Sequence, residues 1–163
     1  MRCPVFFSDL KVESGKTLLD KLDILMDRSP LRGKIREKDL VAIKLHFGEK
    51  GNTAYVRPIF LRRVADRVKQ YKGKPFLTDT NTLYSGSRSE GVSHLNTAIE
   101  NGFAESVVNA PIVIADGLRG NSAVKVRIDK TIFKTVSIAR EIYMSDALII
   151  VTHFKGHELS GFG

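Results

Sequence analysis

Short, almost wholly apolar runs alternate along this chain with stretches of helical spacing. Runs at residues 40–47 (LVAIKLHF), 75–80, 111–115 (PIVIA) and 147–153 (ALIIVTH) read as strands buried on both faces, because a half-buried strand would alternate apolar and polar. A shorter run at residues 4–8 predicts a further strand. Leu18, Leu22 and Leu25, backed by Leu19 and Met26, fall on one helical face after Ser14, a candidate cap. Pro58 opens a second helix whose apolar stripe is Phe60, Val64 and Val68, and a third covers residues 92–101, closed by Gly102. Residues 125–129 and 133–139 predict an added β excursion, and residues 140–145 one or two helical turns.

The repeated strand–helix–strand order predicts an α/β fold, a mainly parallel sheet with helices on both faces. The last strand runs into Gly156, Gly161 and Gly163, where a doubly wound fold would open a helix. The expectation is one α/β domain over residues 1–163, C-terminally incomplete and the N-terminal part of a larger protein.

Composition narrows the classes of function. No apolar run approaches the roughly 20 residues of a membrane span, and the N-terminus lacks the layout of a secretory signal, so the expected compartment is the cytoplasm. The single cysteine, Cys3, cannot make an internal disulfide or hold an iron–sulfur cluster within this chain. A net charge of +8 fits an anionic small molecule, an acidic partner or nucleic acid. Arg62, Arg63, Arg67, Lys69, Lys72 and Lys74 concentrate the charge in the basic stretch 57–74, the alternative site for nucleic acid or an acidic partner. No nucleic-acid-binding motif accompanies them, so a solvated helix face is favoured.

Parallel sheets bind ligands outside the carboxyl ends of their strands, and chemistry-bearing residues collect there. His46 ends one strand and leads to Lys50; Asp79 and Asn81 end another, with Arg88 close behind. Asp116 follows a third, and His153 ends the last, ahead of Lys155 and His157. His46, Lys50, Asp79, Asn81, Arg88, Asp116 and Lys155 are therefore the candidate ligand-binding residues for a small anion. His153 and His157 are the candidate acid–base groups, as imidazoles titrate near neutrality. His46, His153 and His157 are the candidate set for a divalent metal, although Gly156 interrupts the helix that a four-residue His spacing would need. The glycine loop HFKGHELSGFG lacks the Gly-Lys-Ser/Thr of a phosphate-binding loop.

The pieces LHFGEKGNTAYVRP (45–58), DTNTLYSGSR (79–88), HLNTAIENGF (94–103), PIVIADGLRG (111–120) and THFKGHELSGFG (152–163) resemble, in order, the domain of unknown function 362 family. The resemblance implies an association with iron–sulfur proteins, since members often continue into a ferredoxin-like domain, here expected as a partner domain or chain. A more distant similarity is to the nickel-pincer lactate racemases, in which His157 would match a histidine ahead of a glycine loop.

Overall fold

The computed structural model describes residues 3–158 and 160–162. Helix α1 (Leu18–Arg28) starts at a capping box, with Thr17 accepting from the Asp20 N–H and the Asp20 carboxylate accepting from the Thr17 N–H at 2.7 Å. Thr17 is thus the cap, in place of Ser14. Strand β1 (Leu40–Lys44) leads through a long loop to α2 (Pro58–Gln70), and β2 (Lys74–Asp79) follows. Next come α3 (Gly91–Glu100), the short α4 (Glu105–Val108) and β3 (Ile112–Ile114). An antiparallel hairpin of β4 (Ala123–Arg127) and β5 (Thr135–Ala139) supplies the β excursion. Then come α5 (Arg140–Tyr143), β6 (Ala147–Ile150) and the small pair β7 (Gly156–His157) and β8 (Gly161–Phe162).

β3, β2, β1 and β6 form, in that order, a four-stranded sheet with every pair parallel. One set of alternating positions, Val41, Ile43, Leu45 and Leu77, joins Met26 of α1, Leu61, Val64, Ala65 and Val68 of α2, Ala98 of α3 and Val108 of α4 in one core. Val64 and Val68 of the expected α2 stripe are buried, joined by Leu61 and Ala65, while Phe60 is only partly buried. Two crossovers, β1 to β2 and β2 to β3, step the same way across the sheet. Right-handed connections then place their helices on the same face. The return from β3 to β6 runs the opposite way and carries only the β4–β5 hairpin and α5.

The second face is consequently much barer than the expectation of helices on both faces. Leu148 and Ile150 of β6 are 46% and 63% exposed, and Leu40, Phe76, Val113 and Met144 border a cleft of about 310 Å³. Residues 147–150 occupy an edge strand with one face partly buried against the core, so the expectation of burial on both faces fails there. Residues 4–8 form no strand, and Val5 and Phe7 are exposed. A strand needs a neighbour for its N–H and C=O groups, and none lies beside them among the described residues. Among those residues, no helix is long and apolar enough to cross a membrane.

Candidate functional site

The two-residue alternation of β1 continues past its end. Ile43, Leu45 and Phe47 enter the core, while Lys44 and His46 fall on the other set of positions and border a cleft of about 340 Å³. Hydrogen bonds from Leu45 N–H to Thr78 O and from Val151 N–H to Lys44 O hold the three neighbouring segments in step here. Gly48 then turns the chain at φ +86°, where a Cβ would meet Tyr55 Cδ1 at 2.6 Å and Asn101 Nδ2 at 2.7 Å. The turn brings Glu49 onto the cleft wall. Tyr84 of the β2–α3 loop and Val151, His153 and Lys155 of the segment after β6 complete the wall.

Behind the wall lies a buried ion network. Arg88, 4% exposed, donates from Nε and Nη2 to Glu49 Oε1 at 2.9 and 2.5 Å, and from Nη1 to Asp79 Oδ2 at 3.3 Å. Lys44 Nζ donates to the other oxygen of Asp79 at 2.9 Å. Tyr84 Oη and Ser87 Oγ donate to Glu49 at 2.8 and 3.3 Å. The Arg88 guanidinium holds the Glu49 carboxyl below its ordinary range, against a smaller opposing effect of burial. Two cations and two carboxylates balance, which is what makes burial of Arg88 tolerable.

His94, fully buried on α3, completes the cluster. The Asn81 amide donates to Asp116 Oδ1 at 2.9 Å and to the Gly117 carbonyl at 2.8 Å, which fixes its Oδ1 as an acceptor. His94 Nδ1, 3.3 Å away, must then carry the proton and donate. Its Nε2 has no hydrogen-bond partner among the described residues and lies 3.9 Å from Asp79 Oδ2. Burial pushes the His94 pKa below the ordinary 6.5, opposed by Asp79 and assisted by Arg88. The unfolded chain therefore binds the proton more readily, so the stability this histidine contributes is complete above pH 6.5 and lost as pH falls toward the lower folded value. Thermal midpoints should hold level between about pH 7 and 8 and decline from about pH 6.5, above the carboxylate range; His94→Asn should reduce that upper part of the slope, the remainder coming from His46, whose pKa burial also lowers. Superimposable pH profiles of a folded His94→Asn and the parent would refute this.

The structure brings some of the candidates together and separates others. His46, His153 and Lys155 share the cleft, with Arg88 and Asp79 directly behind it. Asn81 and Asp116 bind each other, Asp116 also accepting from the Asn81 N–H, and so tie the ends of β2 and β3. Lys50 pairs with Glu100 at 3.1 Å on the surface. His157 lies exposed in β7, its Nδ1 accepting from Ser160 N–H, and is not part of the cleft wall. Among the described residues no three His, Cys, Asp or Glu side chains are grouped to hold a metal ion. Lys44, Glu49, Tyr84 and His94 belong to the site without having been singled out as ligand-binding. For Glu49 the signal was its place between Gly48 and Gly51 just after a strand, and for Tyr84 its spacing four before Arg88.

A family model described as Domain of unknown function (DUF362) matches residues 41–163. No curated protein and no solved structure matches the chain.

Proposed function

This chain belongs to the DUF362 family, and we propose that its cleft between the ends of β1 and β6 binds a small anionic ligand. The observation that carries the reading is topological. From β1 the chain winds outward through β2 to β3, and β6 returns to the opposite side of β1. Such a reversal of strand order leaves a crevice at the carboxyl ends of the two strands, the usual ligand position in open α/β sheets. The cleft lined by Lys44, His46, His153 and Lys155 is that crevice. Lys44 is already matched by Asp79, whereas Lys155 makes no ion pair among the described residues and adds positive charge.

His46 accepts the Gly48 N–H at Nδ1, 2.9 Å away, so in its neutral form it keeps a proton on Nε2 to offer a ligand. His46 and His153 are the groups that would move a proton if the ligand is transformed. A ferredoxin-like partner remains part of the reading through the family resemblance, and would have to supply any cluster, since Cys3 alone cannot hold one. Cys3 is a free, exposed thiol, which fits the reducing cytoplasm.

In the rival surface, the basic stretch 57–74, several cations are already engaged within the protein, Arg62 with Asp66 among them. Arg63 and Arg67 pair with Asp23, and Arg67 also with Asp27 of α1. Arg62 donates to the Val107 carbonyl, Lys69 to Asn109, and Lys72 pairs with Glu37. These contacts clamp α2 to its neighbours.

Titration with inorganic phosphate and with acetate, followed by amide NMR shifts, tests the proposal. Saturable shifts are expected at Gly48, Asn52 and residues 151–155. Lys155→Ala should weaken binding by about 1.5–3 kcal/mol, the worth of a hydrogen bond to a charged group. Shifts confined to α2, or salt-sensitive binding to arbitrary nucleic acid with no response in the cleft, would overturn it.

A further inference from the structure

We propose that Glu49 occupies a carboxylate-binding site centred on Arg88, and that a ligand carboxylate takes its place. This rests on the reading that the cleft accepts an anion, and goes further in naming the ligand's class and the group it displaces. Four hydrogen bonds from three side chains converge on the Glu49 carboxylate: two from Arg88, one from Tyr84 Oη and one from Ser87 Oγ. Arg88 Nη2 also donates to Tyr84 Oη at 3.0 Å, which sets the tyrosine as part of the same receptor. Both guanidinium nitrogens and Tyr84 Oη converge on Glu49 Oε1 while Ser87 Oγ reaches Oε2, a charge-assisted set of donors that suits a carboxylate.

The two counter-ions of Arg88 are not equivalent. The Asp79 side chain is 6% exposed and shared with Lys44, so it is a permanent member of the interior. The Glu49 side chain is 31% exposed and forms part of the cleft wall, while Arg88 lies behind it. Glu49 stands in a short turn between Gly48 at φ +86° and Gly51 at φ +78°, and a Cβ on Gly51 would touch nothing within 4 Å. The turn therefore has room on its outer side, and moving it outward uncovers the guanidinium toward the cleft. Displacing Glu49 removes one negative charge from a balanced network. A monoanionic carboxylate restores that balance; a phosphate dianion exceeds it.

The test compares the full chain with E49A and E49Q, using acetate and inorganic phosphate as probes in calorimetry and thermal unfolding. E49A is expected to bind acetate about tenfold or more tighter than the parent, as it no longer supplies its own competitor. Acetate should also raise the melting temperature of E49A well above its effect on the parent, by refilling the vacated position. E49Q, which keeps the side-chain shape but loses the charge, should show the same trend more weakly and serves if E49A does not fold. Parent-like acetate affinity with no thermal rescue in the folded variants, while Lys155-dependent phosphate binding persists, overturns this inference alone. Failure of both the parent and the variants to bind either anion overturns it together with the proposed function.

Discussion

Arg88→Ala is expected to destabilise the protein by about 3–5 kcal/mol, the cost of removing one partner from a buried ion pair. The substitution strands Asp79, which is 4% exposed, with Lys44 as its remaining counter-ion, and leaves Glu49 and Tyr84 without the guanidinium that orders them. Asp79 cannot turn to water without breaking the end of β2, so the loss has to be borne in the folded state. Urea unfolding monitored by circular dichroism measures the effect. The Glu49→Ala loss should be smaller, since a partly exposed position lets water or acetate solvate the guanidinium. A double variant lacking both Glu49 and Arg88 should fall short of the sum, as the two share one interaction. A loss below about 1 kcal/mol for Arg88→Ala would mean that the network adds little to stability.

Phe47→Ala is expected to cost a similar amount, about 3–5 kcal/mol, for a different reason. Phe47 is fully buried and meets Phe103 and His94 edge to face, with ring centroids 5.3 and 5.8 Å apart. Its carbonyl accepts from the Asn101 amide at 2.9 Å, so the residue fixes the start of the Gly48–Gly51 turn as well as filling the core. The cavity left by the ring lies beside His94 and under the loop that carries Glu49. Loss of stability should therefore be accompanied by broadened amide signals at residues 48–52. Phe133→Ala, on a side chain 65% exposed, should stay within about 0.5 kcal/mol and serves as the comparison. Equal effects of the two substitutions would refute the packing argument.

The elements came directly from residue pattern wherever a short apolar run is set off by polar or turn residues or the local geometry is special. The strands at residues 40–47, 75–80 and 111–115 were legible as short apolar runs, although β3 lies at an edge of the sheet and is only partly buried. The helix ending before Gly102 was legible because its φ of +89° suits glycine. The carboxyl edge of the sheet was legible as a place for chemistry because parallel strands deliver their ends to one side. Proximity within that edge was not. Glu49 sits on the β1–α2 connection, Asp79 at the end of β2 and Arg88 on the loop that follows it, and no periodicity relates a residue of one loop to a residue of another. Their pairing follows from the order β3-β2-β1-β6, which sets the β2 end directly beside the β1 end. The same order decided that residues 147–150, as apolar as any central strand, lie at an edge with Leu148 and Ile150 exposed. An apolar run reports only that a strand can be buried; whether a neighbour and a covering helix are there depends on the direction and hand of every crossover before it. His157 was placed by neither rule, because a glycine-rich segment has no period from which to project its side chains, and its position in β7 outside the cleft wall was decided by the fold alone.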